Sequence, residues 1–302
     1  IRLRPLAEPL RNPLSLRLPL EFRRLVKAHD VVHMHSVYTF TTLLAFPFTP
    51  KKRTIITLHG RAYYEGFLRY LAEVHERFSF RLVRGAARFI ALTELDRELM
   101  LRRGIPPERI TVIPNFVDVE ELDQWASCSE PVEKESDVQL LFVGGLVEAK
   151  GLVQFLGDLR QVDEEVGLWI IGSGPLEPRL RSLARGMNVK FFGRMSRRDL
   201  IPYFLGADAV VLPSRSEGFP TVVLEAMTLR RPVILSDIEV HRGLFSDLAF
   251  LYTPERPETL LDALKRIKGS RDIVIKARKL VEEFYDVRVV GGQILDLYRE
   301  IL

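Results

Sequence analysis

The chain has little cysteine and no long apolar run. The one cysteine among its 302 residues, Cys128, excludes an internal disulfide and lies in a polar stretch without metal-ligand neighbours. We therefore expect a reducing, cytoplasmic setting. The longest apolar stretch, 37–48, is interrupted by threonines and by Pro47, and it is shorter than the roughly 20 residues that a membrane-spanning helix requires. The sequence predicts no transmembrane helix.

Asparagine and glutamine are also scarce, whereas Lys, Arg and Glu are plentiful, a bias typical of proteins from hot habitats. The composition, 47% hydrophobic and 28% charged, excludes collagen, disordered chains and disulfide scaffolds. The length suits two α/β domains of roughly 100 to 150 residues each.

Charge is distributed unevenly between the two halves. Residues 1–115 carry 20 Lys and Arg against 10 Asp and Glu, while the remainder carries 24 against 30. So basic a first half could face anionic lipid or a phosphorylated acceptor, although a solvated surface without a partner explains it equally well. The same choice arises at 61–88, where Tyr63, Tyr64, Phe67, Tyr70 and Leu71 alternate with arginines. This stretch predicts either a membrane-surface helix or a helix that faces the core.

Short apolar runs, each followed by an amphipathic stretch, predict strands alternating with helices in parallel sheets. We expect two doubly wound, Rossmann-like domains. The predicted strands are 30–34, 54–58, 88–92, 110–113, 139–143, 168–171, 189–192, 209–212, 233–236 and 250–252. Thr93 with Asp96, and Ser196 with Asp199, have the spacing of helix N-terminal caps.

The predicted domain limits follow from the pattern of apolar residues. The stretch 128–137 has no apolar period, so 121–137 is predicted to link a first domain, 1–120, to a second, 138–285. The amphipathic closing segment 286–302 could fold back onto the first domain and complete it. No nucleic-acid-binding motif is found, and nucleic acid is not an expected partner.

Two glutamates stand eight residues apart after a predicted buried strand. Glu217 lies in a polar turn, and Glu225 lies in the second turn of the helix that follows. This spacing is too wide for the two carboxylates of a glycosidase but suits the two ends of an elongated ligand. Pro220 fits a helix start, where the amides of residues 219, 221 and 222 could bind an anion. Alternatively, Glu217 caps the turn and Glu225 is a solvated helix residue.

The segment SEGFPTVVLEAM, 216–227, resembles the E-x7-E motif of retaining GT-B glycosyltransferases of the family 4 type. LLFVGGLVEAKG, LWIIGSGPLEPRL, VKFFGRMS, ADAVVLPS and RPVILSD follow the order of that family in the second half. DVVHMH, IITLHG, FIALTELDRELM and ITVIPNFVD match it in the first half. The resemblance implies the GT-B architecture, two Rossmann-like domains with a cleft between them. GSG at 172–174 lacks the third glycine of a dinucleotide fingerprint, which argues against an NAD site.

The resemblance also implies roles for individual residues. Lys150, beside glycines that let the backbone approach the ligand, would bind the donor diphosphate and stabilise the leaving group. Glu225 would hold the ribose hydroxyls, Glu217 a sugar hydroxyl, and the backbone at residues 194 and 195 the base. The implied catalytic residues are Glu217, Lys150 and His59, the last facing the sugar from the first domain. The implied donor-binding residues are Gly144, Gly145, Lys150, Arg194, Met195, Glu217, Gly218, Phe219, Thr221, Val222 and Glu225.

The activity so implied is that of a retaining hexosyltransferase of EC 2.4. It uses a UDP- or GDP-linked sugar, no metal and no other cofactor, and its acceptor is a glycan, a lipid or a small molecule. No acidic pair has divalent-metal spacing, since Asp118 with Glu120 and Asp237 with Glu239 are better explained as turn and cap residues. A cytoplasmic location is expected, with peripheral contact of the basic first domain with the membrane.

The chain departs from the family pattern at two points that bear on activity. Gly145 stands where the family usually has an arginine that pairs with the lysine on the diphosphate. The opening strand and glycine-rich loop of the family are not found before Asp30, so the first domain is expected to be incomplete. These departures leave open a second hypothesis, a non-catalytic nucleotide-sugar-binding or scaffold protein of the same fold.

Overall fold

A computed structural model describes residues 18–60, 66–162 and 165–302. The chain forms two compact units, one of Ile1–Pro114 with Val290–Leu302 and the other of Asn115–Val289. Each unit has its own parallel sheet. Within the described ranges, no helix has the length and apolar character needed to cross a membrane. The predicted lack of an opening strand concerns residues before Asp30, of which 1–17 lie outside the described part.

The first unit contains a four-stranded sheet in the order β1-β2-β3-β4, with all neighbours parallel. Its elements are α1 (Leu18–Lys27), β1 (Val32–His35), α2 (Phe40–Ala45), β2 (Thr54–Thr57), α3 (Phe67–Val83), β3 (Arg88–Ala91), α4 (Glu94–Arg102), β4 (Ile110–Val112) and, from the end of the chain, α13 (Val287–Ile301). All four strands predicted for this half are confirmed.

Both faces of the first sheet are buried, as a parallel sheet requires. Side chains alternate between the faces of a strand, so Ile55 and Ile56 belong to different clusters. Ile56 packs in the larger cluster. Ile55 packs instead with Val290 and Leu297 of α13. The closing helix thus covers the second face of the first sheet and supplies that unit with part of its core.

The second unit contains a six-stranded parallel sheet in the order β10-β9-β8-β5-β6-β7. Its elements are α5 (Val119–Ser127), β5 (Val138–Val143), α6 (Leu152–Leu159), β6 (Val166–Ile171), α7 (Glu177–Leu183), β7 (Val189–Gly193), α8 (Ile201–Gly206), β8 (Ala209–Leu212), α9 (Thr221–Thr228), β9 (Val233–Ser236), α10 (Glu239–Phe245), β10 (Phe250–Tyr252), α11 (Pro257–Ile267) and α12 (Arg271–Leu280). The six predicted strands are confirmed, and the strand order is that of a doubly wound fold.

The predicted linker, 121–137, lies inside the second unit. Its first part belongs to helix α5, which Asp118 caps by accepting a hydrogen bond from the Glu121 amide. Arg278 fixes this helix through a bidentate ion pair with Asp123, at 2.8 and 2.7 Å. Further on, the Val132 amide donates to the Pro202 carbonyl oxygen. A polar segment without periodicity can therefore be bound along its length to one domain, and the division between the units falls at 114/115 and 289/290 instead.

The two predicted caps have different outcomes. Thr93 accepts from the Asp96 amide and begins α4, as predicted. The Ser196 hydroxyl accepts from the Asp199 amide, but these residues form a turn and α8 begins only at Ile201. The predicted helix start at Ser196 is therefore wrong, because the hydrogen bonds between Ser196 and Asp199 close a turn that precedes the helix.

Candidate functional site

The candidate site lies at the carboxyl ends of the strands of the second sheet. β5 and β8 are neighbours in the sheet although two strands separate them along the chain. The connections leaving two such strands run to opposite sides, which opens a crevice at their carboxyl ends. Lys150 follows β5, and Glu217 follows β8. The fold therefore brings together two predicted residues that are 67 positions apart.

Lys150 and Glu217 form an ion pair, with 2.5 Å between Nζ and Oε1. The side chains are mostly buried, at 24% and 9% exposure. Lys150 ends a short 3₁₀ turn rather than opening an α-helix, because Gly151 adopts a left-handed φ of 68° before α6 begins. A Cβ at Gly151 would also overlap the Pro213 carbonyl oxygen, so glycine is required where the two loops touch.

A buried chain of hydrogen bonds reaches Glu217 from β9. The Ser214 hydroxyl donates to Glu217 Oε1 at 2.6 Å, and the Ser236 hydroxyl donates to the Ser214 carbonyl oxygen. His241, which is fully buried, contacts the Ser236 carbonyl oxygen through Nδ1 at 2.8 Å. We call Ser214, Ser236 and His241 the relay residues. They were missed at the sequence level, where the only signal was a serine at the end of each of two apolar strands.

Burial lowers the pKa of His241, and the nearby Lys150 lowers it further, against opposing contributions from the Ser236 carbonyl and Glu217. The imidazole is therefore uncharged at neutral pH. Its Nε2 is buried and has no hydrogen-bond partner in the described part of the chain. A neutral histidine here fills the space behind the Lys150–Glu217 pair without adding a third charge.

Glu225 is held by a residue that the sequence did not point to. Its side chain is 14% exposed, and its Oε1 accepts from Arg197 Nη2 at 3.0 Å and Nε at 3.2 Å. Burial raises the pKa of Glu225, and the Arg197 guanidinium opposes that shift. The alternative of a solvated helix glutamate is wrong, because the carboxylate is largely buried and paired.

A cavity of about 330 Å³ opens along the ends of β5, β6 and β7. It is lined by Val143, Gly144, Gly145, Ile171, Gly172, Ser173, Arg194, Met195 and Leu200. Four of the predicted donor-binding residues thus share one cavity. A Cβ placed on Gly144 would lie 3.9 Å from Lys150 Cε, so the lysine borders the same space. Gly172, with φ 145°, packs against the Gly144 carbonyl oxygen, which accounts for the first glycine of GSG by packing.

Helix α9 begins at Thr221 after Pro220, which supplies no side-chain cap. The first-turn amides of residues 221 and 222 therefore have no capping side chain. Phe219 is buried, and its ring contacts Phe245 and Tyr285. Its carbonyl oxygen accepts from Asn115 Nδ2 at 3.1 Å. These contacts fix the loop from Glu217 through Gly218 into the helix.

His59 belongs to the first unit, where it follows β2 as an exposed residue. Its Nε2 is 2.7 Å from His35 Nδ1, and the rings of these two histidines stack. His33 stacks on His35 in turn, and its nitrogens contact Tyr298 Oη at 2.6 Å and Thr57 Oγ1 at 2.7 Å. We call His33, His35 and His59 the histidine stack.

Burial, with additional repulsion from His35 and His59, lowers the pKa of His33 to about 4. Although the residue is exposed, its ring is partly desolvated, and this desolvation together with the neighbouring His35 lowers the pKa of His59. Both imidazoles are therefore uncharged at neutral pH. Among the residues that the structure describes, no group of three or more His, Cys, Asp or Glu side chains is arranged to hold a metal ion.

Comparison with known proteins places these features in a family. Residues 123–285 match the family model described as glycosyl transferases group 1. Residues 1–121 match the family model described as Glycosyltransferase Family 4. The solved structure of sucrose-phosphate synthase from Thermosynechococcus elongatus aligns with a TM-score of 0.75 and 20% identity, covering 99% of this chain and 82% of that one. The GT-B fold predicted from the sequence is thereby confirmed.

Two relatives are informative. Alpha-D-kanosaminyltransferase of Streptomyces kanamyceticus is 29% identical over 239 residues, covering 72% of this chain and 62% of the relative. The chain thus spans less than two thirds of that protein. UDP-Gal:alpha-D-GlcNAc-diphosphoundecaprenol alpha-1,3-galactosyltransferase of Escherichia coli is 26% identical over 295 residues, covering 91% of this chain and 76% of the relative. With the family match over more than half of its length, the chain belongs to the group 1 glycosyl transferases.

Proposed function

We propose that the protein transfers a sugar from a nucleotide-sugar donor to an acceptor, with retention of anomeric configuration and without a metal. The observation that carries this proposal is the largely buried Lys150–Glu217 pair at the strand crossover, beside the cavity lined by residues 194 and 195. A cation and an acceptor-only carboxylate side by side suit a ligand that has both phosphates and hydroxyls.

The two residues of the ion pair bind different parts of the donor. The diphosphate of the donor competes with Glu217 for the Lys150 ammonium, and Glu217 is then free to accept a hydrogen bond from a sugar hydroxyl. As the bond to the diphosphate breaks, the ammonium and the uncapped amides of α9 stabilise the negative charge that develops. Charge is thus balanced by groups already in place, which is why no metal is needed in this proposal.

The nucleoside is proposed to occupy the cavity. The backbone at residues 194 and 195 would contact the base, and Glu225 would accept from both ribose hydroxyls, displacing Arg197. In the retaining reaction the acceptor hydroxyl attacks from the face that the diphosphate leaves, and the departing phosphate oxygen takes the proton of that hydroxyl. His59 is proposed as a catalytic residue of the first unit, since an uncharged, exposed imidazole can hydrogen-bond a sugar hydroxyl.

The donor is proposed to be UDP- or GDP-linked, and the acceptor a glycan or a lipid-linked sugar. The Escherichia coli relative supports both parts, because its name specifies a UDP-sugar and a diphosphoundecaprenol acceptor. An acceptor of that kind resides in a membrane. We therefore also propose that the protein works in the cytoplasm and contacts the membrane peripherally through the basic first unit.

A non-catalytic nucleotide-sugar-binding protein remains the second candidate. Gly145 motivates it, because a Cβ there would meet no heavy atom within 4 Å, so the backbone does not exclude a side chain at the position where the family usually has an arginine. Such a protein would bind the nucleotide sugar but would not transfer the sugar.

Calorimetry with UDP, GDP and their sugars tests the proposal, together with an assay for nucleoside diphosphate release. Lys150→Ala should bind the donor at least tenfold more weakly, whereas Lys190→Ala, which removes a lysine–glutamate pair on the surface of the same unit, should bind like the parent. Binding without release would favour the second candidate. The absence of binding by the parent to every nucleotide tested would refute both.

A further inference from the structure

Helix α3 presents large apolar side chains to solvent. Tyr70 is 64% exposed, Val74 50% and Phe78 60%, and their spacing of four residues aligns them on one face of the helix. Leu71 extends this face at 46% exposure. The sequence left open whether 61–88 faces the core or a membrane. For these four residues the core-facing alternative is wrong, while Tyr63, Tyr64 and the side chain of Phe67 lie outside the described part of the chain.

The opposite side of the same helix does face the core. Phe80 and Val83 are fully buried in the main cluster of the first unit, and Glu76 is buried in an ion pair with Arg103. The helix therefore needs only one apolar face to hold it on its domain. A second apolar face that is about half exposed to water is more than the core requires, and such exposed patches mark interaction surfaces.

Cations continue this exposed face. Arg77 and Arg81 lie on α3, and Arg84 follows it directly. Arg81 and Arg84 share a cavity of about 520 Å³ with Lys51 and Arg109. Within the described part of the chain, none of these five cations has a carboxylate within ion-pair distance. We call the five cations together with Tyr70, Leu71, Val74 and Phe78 the α3 surface.

The basic cavity lies at the amino ends of the strands, since Lys51 precedes β2, Gly85 precedes β3 and Arg109 precedes β4. Helix α3 connects the carboxyl end of β2 to the amino end of β3. Tyr70 and Leu71 therefore lie in the half of the helix nearer the carboxyl end of β2, and Arg81 lies near the amino end of β3. The α3 surface thus follows the length of the helix, with most of its cations at one end.

We infer that the α3 surface docks on an anionic lipid bilayer, with α3 lying in the plane of the interface. Aromatic and aliphatic side chains on one face, with arginines beside them, have the chemistry of an interfacial helix. Unpaired arginines add attraction to lipid phosphates. This inference rests on the membrane contact proposed above and names the residues that make it. It does not depend on the sugar-transfer step.

Flotation with vesicles of phosphatidylcholine, with and without phosphatidylglycerol, tests the inference. The parent should float with the anionic vesicles only, and added salt should release it. Val74→Ser with Phe78→Ser should weaken binding about tenfold per residue, since each side chain contributes roughly 1.5 kcal/mol when buried. Arg77→Gln with Arg81→Gln should weaken it about fivefold per residue, from ~1 kcal/mol per cation.

Matched controls exist in the second unit. Phe284→Ser removes another aromatic ring that is 55% exposed, and Arg266→Gln removes another exposed arginine. Both should float like the parent. All of the variants should retain nucleotide binding by calorimetry, so a failure of the docking surface is distinguished from a failure of the donor site.

Tryptophan fluorescence can measure the insertion of α3 into the bilayer. Both tryptophans of the chain, Trp125 and Trp169, lie in the second unit. In Phe78→Trp the emission of the added indole should shift to shorter wavelength on anionic vesicles, after subtraction of the parent spectrum. The inference is overturned if the parent does not bind anionic vesicles, or if it binds an acidic polypeptide such as polyglutamate but not lipid. It is also overturned if the α3 variants float like the parent.

Discussion

The carboxyl edges of the two sheets carry opposite kinds of chemistry. In the second unit this edge holds two ion pairs, Lys150 with Glu217 at the β5–β8 crossover and Arg197, from the turn after β7, with Glu225. In the first unit the same edge holds the histidine stack, in which the pKa values of His33 and His59 are lowered and both rings are uncharged at neutral pH. Two similar folds thus present charged groups in one case and neutral hydrogen-bonding groups in the other.

The two edges differ in what offsets the cost of burying an ionisable side chain. In the second unit each carboxylate is buried next to a cation, which offsets the cost of removing both charges from water. A ligand with phosphates and hydroxyls can then exchange partners with the pairs. In the first unit no such partner stands beside the stack among the described residues, and the lowered pKa values of His33 and His59 leave these two imidazoles uncharged instead. The first edge is suited to neutral hydroxyl groups, and the second to a diphosphate.

The largest effect should come from the cation at the crossover. Lys150→Ala should lower kcat about 10²- to 10³-fold, the usual result of removing one group that stabilises developing negative charge. Initial rates of nucleoside diphosphate release measure it, with Lys190→Ala as the matched control. A rate within twofold of the parent would show that the charged edge does not act on the leaving group.

The second pair should affect binding more than turnover. Glu225→Gln should raise the KM for the donor about tenfold to a hundredfold, since a hydrogen bond to a charged group is worth ~1.5 to 3 kcal/mol. In the parent, a donor with 2′-deoxyribose should have a higher KM than the ribose donor. In Glu225→Gln this difference in KM should be much smaller, because the 2′-hydroxyl and the carboxylate contact each other. Glu177→Gln, at another helix glutamate paired with an arginine, serves as the control. Equal penalties in parent and variant would rule out ribose as the partner of Glu225.

The relay residues should have a smaller effect. Ser214→Ala removes the hydroxyl that donates to Glu217 and should lower kcat about fivefold, for a hydrogen bond worth ~1 kcal/mol. Affinity for the nucleoside diphosphate should stay the same, since this hydrogen bond positions Glu217 and does not touch the phosphates. Ser214→Thr keeps the hydroxyl but adds a methyl group at a fully buried position, so it should recover only part of the rate. A Ser214→Ala rate equal to that of the parent would show that the hydroxyl does not position Glu217.

The lowered pKa of His33 predicts that the stability of the first unit depends on pH. Because the pKa of His33 is about 4 in the folded protein and 6.5 for an unperturbed histidine, the unfolded chain binds a proton between these values and the folded chain does not. Stability of the first unit should therefore fall as the pH drops from 6.5 to 4, by roughly 1 kcal/mol per pH unit after solvent screening. Hydrogen exchange of the β1 and β2 amides measures it, and His33→Gln should flatten the dependence. A titration of the His33 imidazole by NMR near pH 6.5 would contradict the account of burial.

Much of this fold could be predicted from the sequence. All ten predicted strands are present within two residues of their expected limits, because buried parallel strands are short apolar runs bounded by polar turns. The resemblance to the family 4 glycosyltransferases also implied that Lys150 and Glu217 share one site, and the structure pairs them. What could not be predicted depends on side chains from distant segments. Arg197 reaches Glu225 from a turn, and Ser236 reaches Ser214 from the adjacent strand, and neither contact leaves a local pattern.

The domain limits could not be predicted for a related reason. The segment 128–137 is polar and aperiodic, which is typical of a linker, yet Val132 bonds to Pro202 and Lys134 pairs with Asp208 of the second unit. Contacts between segments far apart in the chain decide to which unit a loop belongs. The exposed face of α3 raises the same difficulty, because an apolar stripe at helical spacing has the same sequence whether it faces a core or solvent.

In the proposed reaction the donor separates Lys150 from Glu217. Calorimetry with the nucleoside diphosphate alone, comparing Glu217→Gln with Lys150→Ala, tests this exchange of partners. Glu217→Gln should bind the diphosphate as tightly as the parent or more tightly, since no carboxylate competes for the ammonium, while Lys150→Ala should bind it at least tenfold more weakly. Equal weakening in both variants would mean that the pair only supports the fold, and would contradict the account.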